Sequence, residues 1–210
     1  MTQEKTDSRS NIETLGLPET PQCVLVVDDE LLVAQGIMSS LKTLGYITIG
    51  PCKNGEEAIQ KCREEPPDIV IMDIQMPVMD GMQAAQIIFP ELDIPVIMLT
   101  AYSDDSYLRN CVAAGVFGFL LKPSSPEQLR AGITVAWERY LNHIEQRSQI
   151  VDLTQRLDDR KLIERAKWII VKRKNISEPE AMKMLQKQSR SSRKSIAKVA
   201  RAVIDSDGLL

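Results

Sequence analysis

The chain is poor in aromatic residues and histidine, and it contains no long apolar run. Aromatic side chains make up 4% of its 210 residues, and His143 is the single histidine. A lone histidine cannot anchor a zinc site without partners, and the four cysteines form no CxxC pair. No segment approaches the ~18 apolar residues of a membrane-spanning helix. The sequence therefore argues against a zinc protein and against a membrane protein.

The first 22 residues are polar and mixed in charge, and they lack the pattern of a signal peptide. We expect residues 1–21 to form a disordered tail. Without an export signal, the cysteines are expected to be reduced and buried, which predicts a cytoplasmic protein. Because 43% of the residues are hydrophobic, the rest of the chain is able to build a core.

Charge divides the chain into an acidic part and a basic part. Residues 1–125 carry 18 acidic and 8 basic side chains, whereas residues 126–210 carry 11 acidic and 18 basic ones. Within residues 160–201 the balance is 14 basic to 3 acidic. The acidic N-terminal part suits a cation-binding site, and the basic C-terminal part suits binding to a polyanion. The alternative for the basic part is a set of helices whose charged faces are only solvated, as most basic helices are.

Strand and helix patterns alternate through residues 22–125. Strands are predicted at 23–27, 47–51, 69–73, 95–100 and 118–121, and helices at 31–44, 55–65, 80–89 and 105–114. The third strand is the most apolar and is expected to be central, whereas the second is more polar and suits an edge. The alternation predicts an α/β fold of the (βα)5 type with a doubly wound parallel sheet.

The remainder of the chain is predicted to be helical. Ser125 and the proline after it begin a long helix that ends at Asn175. Its first part, residues 126–152, is expected to be a connecting helix. Residues 153–205 are expected to form a small all-α bundle of three helices. The predicted breaks in this bundle and the final tail lie at Asn175, at 189–192 and at 206–210.

The connecting helix carries two apolar pairs at seven-residue spacing. These are Ile144 with Val151 and Ile150 with Leu157. Such spacing predicts a short coiled-coil seam in a homodimer, and the alternative is a helix that packs only on its own chain.

Functional side chains follow four of the apolar strands, where each strand ends. They are Asp28, Asp29, Asp73, Thr100 and Lys122. The carboxyl ends of parallel strands share one edge of a sheet, and ligands bind there, so these side chains are expected to converge. A lone aspartate after a strand is usually a helix cap or a turn residue. Five such groups on successive strands instead predict a site for a hard cation and a phosphoryl group.

The charges of this site determine its expected chemistry. Three close carboxylates repel one another unless a cation lies among them, and Mg2+ prefers oxygen ligands. Asp73 is then the natural nucleophile, because a carboxylate can accept a phosphoryl group to form an aspartyl phosphate. Lys122 and Thr100 are expected to contact the phosphoryl oxygens.

Residues 22–125, and on to about 130, resemble the receiver domain of bacterial two-component response regulators. The motifs that carry the resemblance are VLVVDDE at 24–30, DIVIMDIQMPVMDG at 68–81, IPVIMLTA at 94–101 and GVFGFLLKP at 115–123. The resemblance implies that a histidine kinase phosphorylates Asp73, and that Asp28, Asp29, Asp73 and the backbone carbonyl of Gln75 hold Mg2+. It also implies a cis peptide bond before Pro123.

The same resemblance implies a switch. Thr100 would move toward a phosphoryl group on Asp73, and Phe119, the counterpart of the family's switching aromatic residue, would fill the space. The alternative for Phe119 is a static core ring. Gln75 and Tyr102 stand where receivers tune the lifetime of the phosphate.

Residues 153–204 resemble the ANTAR domain, a three-helix RNA-binding output module of antitermination regulators. The supporting segments are RKLIERAKWII at 160–170, SEPEAMKMLQKQSR at 177–190 and IAKVARAVI at 196–204. Trp168 departs from the family, which often has a small residue there. We expect it to pack within the bundle, and the alternative is a surface for stacking on RNA bases.

The second resemblance implies binding to paired RNA hairpins in a nascent transcript, which would prevent a terminator stem. The small side chain of Ala166 would allow the RNA to approach the helix backbone closely. The alternative for each basic residue is that it only lies on a solvated face of its helix. The RNA-binding residues expected on this basis are Arg160, Lys161, Arg165, Ala166, Lys167, Arg190, Arg193 and Lys194.

The sequence thus predicts a response regulator in which phosphorylation of Asp73 controls RNA binding and transcription antitermination. It predicts no enzyme beyond Mg2+-dependent self-phosphorylation and dephosphorylation at Asp73. One alternative is a DNA-binding response regulator, although no convincing helix-turn-helix is present. A second is a phosphatase or kinase that uses the aspartate cluster, although the C-terminal part has no glycine-rich nucleotide loop.

Overall fold

A computed structural model describes residues 18–101 and 115–207. Its first unit contains a parallel five-stranded sheet with strand order β2-β1-β3-β4-β5. The elements along the described chain are β1 (Cys23–Val27), α1 (Leu31–Thr43), β2 (Ile47–Cys52), α2 (Gly55–Glu64), β3 (Ile69–Asp73), α3 (Gly81–Leu92), β4 (Val96–Thr100), β5 (Val116–Leu121), α4 (Pro126–Lys174), α5 (Glu178–Ser192) and α6 (Ile196–Asp207). The predicted α/β fold is confirmed. The predicted helix at 105–114, with Tyr102 and most of the two tails, lies outside the described residues.

Two hydrophobic cores cover the two faces of the sheet. Leu25 and Val27 face the core built with α2 and α3, whereas Val24 and Val26 face the core built with α1 and α4. All five residues of β3 are buried, as expected for the central strand. Strands buried on both faces appear in a sequence as uninterrupted apolar runs, and this is why they were predicted correctly.

Some boundaries in this unit differ from the prediction. Helix α3 runs through Pro90 to Leu92 and ends at Asp93, whose φ of 58° is left-handed. Strand β5 begins at Val116, two residues earlier than predicted, because its pairing with β4 shifts register next to Phe117. Bulges of this kind are hard to read from an apolar pattern alone.

An aromatic cluster holds the N-terminal part of α4 against α3 and β5. Phe89 of α3 and Phe117 of β5 meet edge to face, with ring centroids 5.0 Å apart, and Tyr140 of α4 packs against both. Trp137 of α4 donates a hydrogen bond from Nε1 to the carbonyl of Glu19 at 3.2 Å. The predicted disordered tail is therefore too long at residues 18–21, since Glu19 is held by this contact.

Helix α4 begins and ends as predicted. The backbone N–H of Ser125 donates to the side chain of Gln128 at 2.8 Å, and Asn175 ends the helix in a left-handed conformation with a φ of 52°. The chain divides into two compact units between Glu145 and Gln146, so residues of α4 belong to both. In the described part of the chain, no helix is both long and apolar enough to cross a bilayer.

The second unit is the three-helix bundle that the sequence predicts. Its core joins the end of α4 to α5 and α6, and the fully or nearly buried members are Ala166, Ile170, Ala181, Leu185, Val199 and Ala200.

The break between α5 and α6 lies later than predicted. Helix α5 continues through 189–192 and stops at Arg193, whose φ is 53°. Within the last turn of α5, the hydroxyls of Ser191 and Ser192 donate to the Gln188 carbonyl, 3.1 and 2.7 Å away. Helix α6 extends to Asp207, so part of the predicted tail at 206–210 is helical.

Candidate functional site

The carboxylates of Asp28, Asp29 and Asp73 meet at the carboxyl edge of the sheet. Asp28 and Asp29 directly follow β1, and Asp73 is the last residue of the neighbouring strand β3. One carboxylate oxygen from each lies within 4.8 Å of the others. The side chain of Asp28 is fully buried, and that of Asp73 is 12% exposed. Two of the three negative charges, those of Asp28 and Asp73, therefore lie where water is scarce.

Lys122 supplies the counter-charge from the end of β5. Its Nζ lies 2.7 Å from Oδ2 of Asp28 and 3.0 Å from Oδ2 of Asp73. Burial raises the pKa of Asp73, and the ammonium of Lys122 opposes this shift. Burial also disfavours the charged form of Lys122, but the two carboxylates outweigh it and raise the pKa of the lysine. The peptide bond between Lys122 and Pro123 is cis, as the resemblance implied.

The donor set fits a hard divalent cation. Oδ1 of Asp28 accepts a hydrogen bond from the backbone N–H of Glu30. Its buried Oδ2 lies beside the Lys122 ammonium and accepts no aligned hydrogen bond from the residues that the structure describes. A carboxylate oxygen without an aligned hydrogen-bond donor is available to coordinate a hard divalent cation. Asp29 is exposed and lines an open pocket of about 550 Å³ together with Gln75. Two of the predicted ligand residues, Asp29 and Gln75, thus border one space, and the carboxylates of Asp28 and Asp73 lie close to that of Asp29.

The loop after β3 holds Asp73 in place through contacts that the sequence pattern does not indicate. Oδ1 of Asp73 accepts from the backbone N–H of Ile74, and the N–H of Gly81 returns to the Ile74 carbonyl at 2.9 Å. A methyl group at Gly81 would overlap the Asp73 carbonyl oxygen. Within the same loop Val78 adopts a φ of 70°, which is rare for a β-branched residue.

Thr100 and Phe119 lie on adjacent strands beside this edge. Thr100 is the last residue of β4, and its carbonyl accepts from the backbone N–H of Lys122 at 2.9 Å. Phe119 is partly buried on β5, directly opposite Met98 of β4, and contacts the core on the α2 and α3 side. The strand that Thr100 ends lies between those of Asp73 and Phe119, an order that suits the predicted switch. Tyr102 lies outside the described residues.

In the second unit the structure divides the residues predicted to bind RNA. The six that are exposed are Arg160, Lys161, Arg165, Arg190, Arg193 and Lys194. Ala166 is 0% exposed and belongs to the helical core, so its side chain does not lie on the surface of this unit. Its small side chain allows α4 to pack closely on its neighbours. The side chain of Lys167 is 14% exposed and bridges Glu164 at 2.8 Å and Glu178 at 3.6 Å, which leaves it poorly placed for RNA.

Helix α5 carries a basic face of which sequence reasoning predicted only Arg190. Lys183, Lys187 and Arg190 are exposed and border one shallow surface with Gln186 and Ser191. Their spacing of four and three residues puts them on one side of the helix. The same spacing is visible in the sequence, and it is the signal that could have indicated Lys183 and Lys187.

Trp168 and an apolar stripe on α4 are also exposed. Trp168 is 55% exposed, so the expected packing within the bundle is wrong. Ile150, Leu153 and Leu157 follow one another at spacings of three and four residues and are 64%, 58% and 60% exposed. This is the spacing of a coiled-coil seam.

Comparison with known proteins explains both units. The response regulator receiver domain matches residues 24–134, and the ANTAR domain matches residues 151–204. The chain belongs to the two-component response regulators. The response regulator described here has an ANTAR output domain, and both resemblances seen in the sequence are confirmed.

Two curated relatives of this response regulator are bacterial transcriptional regulatory proteins. PdtaR of Mycobacterium tuberculosis is 32% identical over 188 residues, covering 90% of this chain and 92% of PdtaR. LnrK of Bacillus subtilis is 31% identical over 158 residues, covering 63% of this chain and 72% of LnrK.

Solved structures match the receiver. The signal receiver domain of the NarL response regulator from M. tuberculosis superposes with a TM-score of 0.52 at 30% identity, covering 57% of this chain and 98% of that one. The CheX–CheY–BeF3–Mg2+ complex from Borrelia burgdorferi gives a TM-score of 0.53 at 27% identity, covering 56% of this chain and 90% of that one.

Proposed function

We propose that Asp73 accepts a phosphoryl group from the phosphohistidine of a sensor histidine kinase. A carboxylate oxygen of Asp73 attacks phosphorus, the P–N bond to histidine breaks, and the histidine nitrogen regains a proton. Water later attacks the mixed anhydride and returns the carboxylate with inorganic phosphate. The contact of Asp73 with the Lys122 ammonium at 3.0 Å is the observation that carries this proposal.

The surrounding residues assist each part of this transfer. Lys122 is held by Asp28 on one side, so its charge stays near the oxygens that the phosphoryl group would bring. Asp28, Asp29, Asp73 and the carbonyl of Gln75 would hold Mg2+, which would offset the negative charge of the phosphoryl oxygens when bound. A relative, CheY in the Borrelia complex, was crystallised with BeF3 and Mg2+.

Labelling with acetyl phosphate tests the acceptor. The wild-type chain should incorporate about one phosphoryl group in the presence of Mg2+, and Asp73→Asn should incorporate none. Asp80→Asn is the matched control, because Asp80 borders the same pocket but caps α3 by accepting from the N–H of Gln83. Undiminished labelling of Asp73→Asn would refute the assignment. Repeated turnover of added phosphoesters would instead favour an enzyme.

We further propose that phosphorylation repacks Thr100 and Phe119 and so changes the face formed by β5 and the start of α4. Thr100 ends β4, the strand next to that of Asp73, and Phe119 lies on β5 one strand further along the sheet; β5 leads into α4 within five residues. Phe119→Ala should accept phosphate normally and lose phosphorylation-dependent output. Normal coupling in this variant would assign Phe119 to a static core.

The proposed output is binding of paired RNA hairpins in a nascent transcript, in the cytoplasm, so that a terminator stem does not form. The balance of 14 basic to 3 acidic residues at 160–201 supports a polyanion as the partner. The exposed face of Lys183, Lys187 and Arg190 adds a surface for phosphates. Because the proposed RNA contains two hairpins, two copies of the protein could each bind one hairpin. The exposed apolar stripe at Ile150 and Leu157 supports such a homodimer.

A mobility-shift titration with a terminator-overlapping hairpin tests the output. Replacing Lys183, Lys187 and Arg190 by alanine should weaken binding and flatten its dependence on salt, by roughly one in the log–log slope for each lost phosphate contact. The control is a variant in which Lys42 and Lys53 of the receiver are replaced by alanine. Tighter binding to duplex DNA than to the hairpin would favour the DNA-binding alternative.

A further inference from the structure

Trp168 projects from α4 away from the core of its own unit. The residues two positions before and after it, Ala166 and Ile170, are 0% and 8% exposed, whereas Trp168 is 55% exposed. Helix positions turn by about 100° per residue, so positions two apart lie on nearly opposite sides. The bundle therefore buries one side of α4 and presents the indole on the other.

The exposed indole is bordered by positive charge. Arg165 and Lys172 lie three residues before and four residues after it, on the same side of the helix, and both are exposed. Within the part of the chain that the structure describes, neither forms an ion pair. The nearby acidic residue, Glu164, is already neutralised by Lys167 at 2.8 Å. An aromatic plane between two unpaired cations offers both stacking and phosphate contacts.

We propose that Trp168 is a stacking platform for an unpaired base in the loop of the hairpin, with Arg165 and Lys172 bound to the flanking phosphates. The inference rests on the proposed binding of RNA hairpins, and it specifies that the protein recognises an unpaired base of the hairpin loop. Bases in a hairpin loop expose their faces, whereas bases within a duplex are covered by their neighbours. The charged border selects a nucleic acid over an apolar peptide as the occupant.

Binding measurements test the platform. Trp168→Ala should weaken hairpin binding roughly tenfold or more, as removal of a stacked aromatic does, while the salt slope stays unchanged because no phosphate contact is lost. Trp168→Phe should recover part of the affinity. An abasic nucleotide at the stacked loop position should weaken binding to the wild-type chain and have no further effect on Trp168→Ala.

The intrinsic fluorescence of the chain gives an independent readout. The only other tryptophan, Trp137, is 3% exposed in the receiver, so quenching by a bound loop base reports on Trp168. Val135→Ala, which alters another exposed apolar residue of α4, is the matched control and should bind like wild type.

The outcomes separate this inference from the function on which it rests. Equal binding by wild type and Trp168→Ala would overturn the platform and leave RNA binding intact. Failure of the wild-type chain to bind any hairpin would overturn both. A change in the mass of Trp168→Ala by light scattering would assign the indole to a contact between copies of the chain and overturn the platform.

Discussion

Substitution of Gly81 by alanine is a sharp test of how the acidic edge is built. A Cβ at this position would overlap the Asp73 carbonyl oxygen and lie 3.1 Å from the carbonyl carbon and 3.2 Å from Cγ of Met72. Ordinary contact begins at 3.4 Å, and backbone atoms cannot turn aside as a flexible side chain does. The start of α3 and the end of β3 must therefore move apart, which displaces Asp73.

The expected cost follows from this geometry. Overpacking a close-packed interior costs about 1–3 kcal/mol, and contact with backbone favours the upper half of that range. The intrinsic preference of a helix for alanine over glycine returns at most about 1 kcal/mol. We expect Gly81→Ala to lower the free energy of unfolding of the receiver by roughly 1–2 kcal/mol and to slow labelling of Asp73.

A second glycine provides the matched control. Gly36 lies inside α1 on an exposed face, and a Cβ there would meet nothing within 4 Å. Gly36→Ala should therefore raise the stability by about 0.5–1 kcal/mol. Denaturant unfolding of both variants can be followed through buried Trp137, in a Trp168→Phe background. If Gly81→Ala leaves the unfolding midpoint unchanged or raises it, as Gly36→Ala should, the inferred collision at Gly81 is wrong.

Three further predictions concern charge and strain. Lys122→Met leaves buried carboxylates without a counter-charge, so stability at pH 7 should fall by about 2–3 kcal/mol and MgCl2 should restore more of it than in wild type; equal denaturation midpoints would contradict this. Val78→Asn should stabilise the receiver by about 1 kcal/mol, because asparagine tolerates a φ of 70°, and calorimetry showing no gain would reject strain there. The backbone N–H and hydroxyl of Ser177 donate to Glu180 and lower its pKa from 4.5. The resulting stabilisation of α5 is present above pH 4.5 and lost on acidification, so Glu180→Gln should flatten that loss in circular dichroism.

The sheet and the residues at its edge could be predicted from the sequence. Buried parallel strands appear as apolar runs, and the direction of the chain dictates that the residues just beyond them share one edge. These two rules are enough to predict that Asp28, Asp73 and Lys122 lie close together. They do not reveal Gly81, because the collision depends on how the loop after β3 returns past its own strand.

The helical half was only partly determined by its sequence. Apolar spacing predicts three helices within residues 153–205, and the charge balance indicates a polyanion as the partner. Only the packing of α5 and α6 decided which side of α4 is buried. It moved Ala166 and Lys167 away from the surface expected to bind RNA and placed Trp168 on the exposed side. The end of a strand is located by the chain itself, whereas the exposure of a helix face is set by partners distant in sequence.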